Sequence, residues 1–248
     1  LLQDIENGNF IVCLVPKIDT LTGEVGGAEA VVRYHHKDLG IVDPGRYLNM
    51  LEETKLSHYL DLYVFEEVCK TLHKWEVRDI PMIPVSVNFA GATLRQEGLA
   101  DKMLHLIEKH HVRCEYLEVE VSESSSDMNQ EMLAETSSKI RKGNVRVILD
   151  HFGAKDSSFS ILSLMEFDGL KLDKSVISNI VGNGRSRIVA QAVIDICRQL
   201  GASVQAAGVE TQDQFNVLRE IGCDYAQGTL FNKPITIETF EVRYLRDR

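Results

Sequence analysis

The residues of this chain that could do chemistry are acids and amides that close short apolar runs, with one lysine among them. Val145 to Leu149 reads as a buried strand that stops at Asp150, followed by His151 and a Phe152-Gly153 turn. An acid at the C-terminal end of a buried strand, just before a glycine turn, is where α/β proteins place ligands and metals. The placement recurs along the chain. Glu29 sits within Ala28-Glu-Ala-Val, Asn88 ends Val85-Ser-Val-Asn88, and Glu120 and Glu123 flank the end of Tyr116-Leu-Glu-Val-Glu-Val121. Gln227 ends Asp224-Tyr-Ala-Gln227, while Lys171 and Asp173 alternate with Leu170 and Leu172 and so share one strand face. Carboxylate and amide oxygens are hard ligands that suit Mg2+, Mn2+ or Ca2+. A lysine beside them could position or deprotonate a water, or hold a phosphate.

Taken singly, each residue has a plainer explanation. Glu118 alternates out of phase with Leu117 and Val119 and reads as a solvated face residue. Lys171 could simply pair with Asp173. His35 and His36 are adjacent in a strand, face opposite sides and cannot chelate as a pair. Gly182-Asn-Gly184 lacks the strand and the third glycine of a dinucleotide motif and reads as a loop. Five oxygen ligands and a lysine on successive strand ends are much harder to explain as accident.

The elements that must position them follow from punctuation and periodicity. Phe10–Pro16 and Ala28–Tyr34 are strands joined by a polar, glycine-containing turn, which predicts an antiparallel hairpin. Asp43-Pro44 opens a helix to about Glu53, and Leu60, Val64, Val68, Leu72 and Trp75 mark a long amphipathic one. From Pro84 the chain alternates. Strands are expected at 85–88, 116–121, 145–150, 169–173, 203–206 and 224–227. Helices are expected at about 94–110, 127–142, 158–165 and 188–200, then after Thr211 and after Pro234. Asp127 with Gln130, and Thr211 with Gln214, are spaced as capping pairs. About eight strands alternating with helices over 248 residues predict one α/β domain closed as a (β/α)8 barrel.

Composition narrows the partners. The formal net charge is −10, which argues against DNA or an anionic membrane as a partner of the whole surface but allows a small anionic ligand at a local basic group. Five scattered cysteines with no CxxC read as core thiols of a reducing compartment. No apolar run reaches the ~18–20 residues of a membrane span and no signal peptide is read, so a cytoplasmic location is expected. A start at Leu1 leads to the expectation of a domain cut from a longer chain.

These motifs together resemble an EAL domain, the family of cyclic di-GMP phosphodiesterases, from Val15-Pro16 to Pro234. Ala28-Glu-Ala-Val-Val-Arg33 stands at the EALxR signature, Leu51-Glu-Glu-Thr54 at AEET, and Val87-Asn88 at NLS. Glu118-Val-Glu-Val-Ser-Glu-Ser124 stands at ELEITES, Leu149-Asp-His-Phe-Gly153 at LDDFG, and Gly169-Leu-Lys-Leu-Asp173 at LKID. Ala206-Ala-Gly-Val-Glu-Thr211 stands at AEGVET and Gly222-Cys-Asp-Tyr-Ala-Gln-Gly228 at GCDYAQG. The resemblance implies a modified TIM barrel over residues 1–248 with an antiparallel first strand, and flanking signalling domains in a longer bacterial protein. It implies two Mg2+ or Mn2+ ions that activate a water to open cyclic di-GMP to linear pGpG. Carried over by position, Glu29, Asn88, Glu120 and Asp150 are the metal ligands and Lys171 assists the water. Arg33, Asp173, Glu210 and Gln227 serve the substrate, and Glu123 orders the loop after the fifth strand. Such domains commonly dimerise through that region.

The departures fall in the same site. His151 stands where the family has the second Asp of DDFG, and Ala207 where it has the Glu of EGVET. Val15 replaces a Gln that contacts a base, Val31 replaces the Leu of the signature, and Ala154-Lys-Asp156 lacks the usual glycine and aromatic. A neutral, softer imidazole and a methyl group in place of two carboxylates leave one weak cation site at most. Three readings stay open: a catalytically impaired module that binds cyclic di-GMP, an active phosphodiesterase, and a structural or dimerisation domain that no longer binds the nucleotide.

Overall fold

The computed structural model describes residues 2–36, 40–42, 44–54, 56–122, 129–154 and 157–246. After a short helix, α1 (Leu2–Glu6), come two long strands, β1 (Phe10–Asp19) and β2 (Val25–His36). They pair antiparallel from Phe10↔Tyr34 down to Ile18↔Val25. The short β3 (Gly40–Val42) pairs with the far end of β2. Helices α2 (Pro44–Glu53) and α3 (Ser57–Val77) lead to β4 (Val85–Asn88), α4 (Gly91–Leu94) and α5 (Leu99–His110). Then follow β5 (Leu117–Ser122), α6 (Gln130–Lys142), β6 (Arg146–Phe152), α7 (Ile161–Leu164), β7 (Gly169–Leu172), α8 (Lys174–Ile177) and α9 (Gly184–Leu200). The chain finishes with β8 (Ser203–Ala207), α10 (Gln212–Glu220), β9 (Tyr225–Gln227), β10 (Ile235–Thr236) and α11 (Ile237–Phe240), which runs into a π-helical turn at Glu241–Leu245.

The strands close in the order β1-β9-β8-β7-β6-β5-β4-β2, with β2 returning to β1. Every pair from β2–β4 to β8–β9 is parallel, and β1 is antiparallel to both its barrel neighbours. This is the expected TIM-like barrel with an inverted first strand.

Each barrel strand is buried on both faces, for different reasons. The outward residues Val85, Val87, Leu117, Val119, Val147, Leu149, Leu170 and Val204 meet the helices, where Phe65, Leu72 and Trp75 of α3 are completely buried. Each such apolar side chain contributes about 1.5–3 kcal/mol. The inward residues are largely polar: Lys17, Ser86, Glu118, Glu120, Lys171, Gln205 and Gln227 are all buried, with Ile148 among the few apolar ones. Glu118 is therefore not solvated, as its alternation suggested. It is 3% exposed and ion-paired to Lys17 at 3.0 Å and Arg146 at 2.9 Å. A strand with helices on one side and a charged barrel interior on the other carries the same polar–apolar period as a half-exposed strand.

Several boundaries differ from expectation. The helix expected at 94–110 begins later, as α5, after Gly98 at φ +69°, a left-handed conformation that glycine adopts without a Cβ clash, and the separate short α4 ends at Leu94. The cap of α6 is Asn129, whose side chain accepts from the Met132 amide; Asp127 and Asp43 lie outside the described residues. Helix α9 starts at Gly184 because Asn183 caps it. The Thr211–Gln214 capping box forms as expected. A short strand, β10, precedes the terminal helix. Its continuation is pinned to α3 by the buried Glu241, which accepts from the Trp75 indole and the Lys74 ammonium, each at 3.0 Å. His35 is exposed, while His36 packs edge-on against Tyr34. All five cysteines are free, four of them buried.

One close approach fixes the barrel mouth beside β9. A Cβ on Gly228 would lie 2.1 Å from the Val209 carbonyl oxygen and 2.4 Å from its nitrogen. Backbone cannot yield as a side-chain tip does. Gly228→Ala is expected to cost stability near or above the top of the ~0.5–3 kcal/mol range of ordinary point mutations, read as a lower denaturant midpoint. A midpoint within error of wild type would contradict the close approach.

Candidate active site

Four strands bring polar side chains to one point at the C-terminal end of the barrel. Glu29 of β2 accepts from Asn88 of β4 at 2.7 Å, Lys171 of β7 at 2.8 Å and Gln227 of β9 at 2.6 Å. Lys171 reaches on to Glu120 of β5 at 2.8 Å. The other Glu120 oxygen accepts from Ser86 at 2.6 Å and Lys17 at 3.1 Å. Register makes these contacts: Glu29 pairs with Ser86 and Asn88 with Glu120, so inward side chains of neighbouring strands stand side by side.

Charge is settled inside this cluster. Burial works against the Lys171 ammonium, but Glu120, Glu29 and Asp150 outweigh it and hold its pKa well above the usual lysine value. Burial likewise works against ionised Glu120, and the Lys171 and Lys17 ammoniums overcome it, keeping the carboxylate ionised. Lys171 is thus held as a donor. This suits two of the three roles its sequence position allowed, positioning a water and holding a phosphate oxygen, and disfavours the third, taking a proton from water.

Asp150 lies near the C-terminal end of β6, one strand away. Two β6 residues, Asp150 and His151, oppose the single Lys171 of β7 between the pairs Leu149↔Leu170 and Phe152↔Leu172. The extra residue is a bulge, and His151 takes it up at φ +59°, a conformation in which His, Asn and Asp are enriched among non-glycine residues. The bulge folds His151 back on its neighbour: its Nδ1 lies 3.1 Å from Asp150 Oδ2 and its amide 2.6 Å from Oδ1. That hydrogen bond, opposed by burial, raises the imidazole pKa.

The remaining expected residues are more dispersed. Arg33 is four residues beyond Glu29 on the part of β2 that rises past the barrel rim. It donates to the Val32 carbonyl at 2.9 Å and lines a cavity of about 520 Å3 with Glu52, Asp61, Asn88, Phe89 and His151. Asp173 caps α8 by accepting from the Ser175 amide at 2.9 Å. Glu210 is exposed on the loop after β8 and gives its amide to the α10 capping box at 2.8 Å. Neither joins the Glu29 cluster. Ala207 pairs with Gln227 at the strand end and adds no polar side-chain atom. Val15 faces Glu29 across the hairpin and is buried. Glu123, Lys155 and Asp156 lie outside the described residues.

Sequence reasoning missed Lys17, Ser86, Gln205 and Asp61. Ser86 is in phase with Asn88, and Glu118 with Glu120, which was a usable signal. Asp61 lies inside a helix and gave none. Its Oδ2 accepts from the Ala90 amide at 2.8 Å and from the Thr93 hydroxyl. Burial, opposed by these two bonds, pushes its pKa up to about 7.

The donor chemistry fits one hard divalent cation: Glu29, Asn88, Glu120 and Asp150 supply oxygens from consecutive strands. His151 is turned onto Asp150, and Ala207 has no side-chain oxygen to give. Among the described residues no three His, Cys, Asp or Glu side chains converge as a ready metal site, since each carboxylate is directed at an internal donor.

The comparisons agree with this architecture. The EAL domain family model matches residues 1–234. The cyclic di-GMP phosphodiesterase NbdA of Pseudomonas aeruginosa is 31% identical over 241 residues, covering 97% of this chain and 31% of that protein. The signaling protein YkoW of Bacillus subtilis is 31% identical over 241 residues, covering 97% of this chain and 30% of that protein. The chain thus spans about a third of the length of such curated relatives. Among solved structures, the PaMucR phosphodiesterase in its c-di-GMP complex superposes with a TM-score of 0.88 at 25% identity, covering 96% of this chain and 97% of that one. The FimX EAL domain of Pseudomonas aeruginosa bound to c-di-GMP superposes with a TM-score of 0.84 at 18% identity over 94% of both chains, a likeness of fold alone. With an inverted-strand barrel, the signature residues at its mouth and a family match along nearly its whole length, this chain belongs to the EAL domain family.

Proposed function

We propose that this domain binds cyclic di-GMP at the barrel mouth and cleaves it slowly or not at all, as a regulatory module of a longer multidomain signalling protein. The observation that carries the reading is the Asp150–His151 pair. The family's second aspartate would add a carboxylate here, whereas the imidazole in its place occupies the carboxylate already present. Ala207 removes a further acid from the same rim. The length of the relatives, about three times that of this chain, supports the multidomain setting. Among the described residues no helix is long and apolar enough to cross a membrane.

The binding side is better preserved than the cutting side. The 520 Å3 cavity falls within the size range of small-molecule sites. On its wall Arg33 offers a guanidinium fork to a phosphate. Asp61 offers a carboxylate to the paired N–H donors on the edge of guanine. Lys171, fixed as an ammonium, donates toward the mouth. Gln227 and Asn88 hold Glu29, while Asp173 and Glu210 order the loop ends around the ligand. Glu29, Asn88, Glu120 and Asp150 would hold the one cation, which when bound supplies Lewis acidity to a phosphate oxygen.

Titrating the purified domain with labelled cyclic di-GMP in Mg2+ or Mn2+, and following binding and pGpG together, separates the readings. Saturable binding with little or no pGpG is expected. Rapid turnover would overturn the impairment, and no binding at high micromolar ligand would leave a structural domain. His151→Asp combined with Ala207→Glu is expected to tighten Mn2+ binding by at least about tenfold, one carboxylate contact being worth on the order of a tenfold change or more. An unchanged Mn2+ titration would refute the role given to these two positions.

Asp61 gives the binding a pH signature. Its raised pKa means that the carboxyl is protonated below about pH 7 and ionised above it. The acceptor for guanine is therefore lost as the pH falls through that value, and nucleotide affinity is expected to fall with it. Asp61→Asn keeps an oxygen for Ala90 and Thr93 but does not titrate, and should bind weakly and without that pH step. A wild-type affinity that stays flat across the window would remove Asp61 from the site.

A further inference from the structure

Lys17 supports Glu120 from beneath the site and has no role of its own assigned so far. It is 2% exposed and stands opposite Gly27, two residues below the Val15↔Glu29 pair and so away from the mouth. Its ammonium lies 3.0 Å from Glu118 Oε2 and 3.1 Å from Glu120 Oε1. Both acids already have another cation: Arg146 holds Glu118 at 2.9 Å and Lys171 holds Glu120 at 2.8 Å. The result is an unbroken ladder along the barrel axis, Arg146–Glu118–Lys17–Glu120–Lys171–Glu29. It carries three negative and three positive charges, and it starts at the half-buried Arg146 and ends at the mouth.

We propose that Lys17 is a fixed internal counter-ion that sets how strongly the barrel mouth holds a divalent cation. This rests on the single cation site assigned above to Glu29, Asn88, Glu120 and Asp150. Glu120 belongs to both systems. With Lys17 on one oxygen and Lys171 on the other, its charge is spent within the ladder, and an arriving cation meets a neutral interior. Without Lys17, the ladder has three carboxylates, Lys171 and Arg146, one negative charge in excess. Protein interiors screen charges far less than water does. A unit charge within several ångströms of a divalent ion changes its affinity by at least about tenfold at an effective dielectric constant of ~20. Lys17 does not itself contact the cation in this scheme. It acts through Glu120 and is a positioning residue.

The test is a Mn2+ titration of the intact domain, read from the electron paramagnetic resonance of the free aquo-ion, with thermal unfolding of each variant recorded alongside. Lys17→Met, which keeps the length of the side chain, is expected to bind Mn2+ at least about tenfold more tightly than wild type. Lys17→Met with Glu118→Gln restores charge balance and should return to near the wild-type affinity. If Lys17→Met does not fold, Glu118→Gln alone decides: it adds one net positive charge to the ladder and should weaken Mn2+ by a similar factor. Unchanged affinity in Glu118→Gln, unchanged or weaker affinity in a folded Lys17→Met, or no Mn2+ uptake by any form at millimolar metal would each overturn the proposal. Cyclic di-GMP binding measured in EDTA tests the nucleotide reading separately, since either result can fail while the other stands.

Discussion

A lysine held between two glutamates inside a barrel is the interaction on which this structure depends. Lys171 sits 2.8 Å from both Glu29 and Glu120, and none of the three can reach enough water to be solvated alone. Removing charges from water costs several kcal/mol each, and the attraction between them repays this only when the geometry is good and the spare lone pairs are filled. The surrounding residues do that filling. Ser86 and Lys17 complete Glu120, and Asn88 and Gln227 complete Glu29. Those donors come from β1, β4 and β9, so the cluster is satisfied only when the barrel is closed. The antiparallel β1 matters here: it closes the ring between β9 and β2 and delivers Lys17 from below.

Much of this arrangement was legible in the sequence because it follows the strand ends. Glu29, Asn88, Glu120, Asp150 and Lys171 each close or interrupt an apolar run, and a parallel barrel gathers such ends at one mouth. The fold was legible for the same reason: strand and helix periods alternate without a break. Glu118 and Lys17 were not legible. Period-two alternation says that the two faces of a strand differ, but it cannot say whether the polar face meets water or a counter-ion. Pairing decides that, and the partners are far apart in the chain, as with Lys17 and Glu118. Asp61 was hidden by the opposite circumstance. It lies on the amphipathic helix α3, and only the passage of that helix beside the β4–α4 turn turns it into a cap and a cavity wall. Asp173 was found by strand alternation and Glu210 by motif, yet neither signal showed that backbone caps, rather than the glutamate cluster, engage them.

The bulge at Asp150–His151 decides where the side chain at position 151 lies. In a regular strand the residue after an inward aspartate points away from the barrel. The bulge cancels that alternation and keeps both side chains at the rim. An aspartate in the second position would place two like charges side by side, a repulsion that a bound cation or a shared proton relieves. Histidine instead supplies its own partner to Asp150. Any cation must then compete with an imidazole tethered one residue away.

The same reasoning bears on how residues of catalytic appearance should be weighed. Glu29, Glu120 and Lys171 support one another electrostatically, and loss of any one would strand a charge in the barrel, typically at 3–5 kcal/mol. Such a triad holds the fold together whether or not chemistry occurs above it, so its presence is a poor sign of turnover. His151 and Ala207 are different. They lie at the rim, where exchange of a side chain leaves the buried ladder intact. A domain of this construction can therefore lose its reaction at the rim while keeping the buried cluster unaltered, and the rim residues are where activity must be judged.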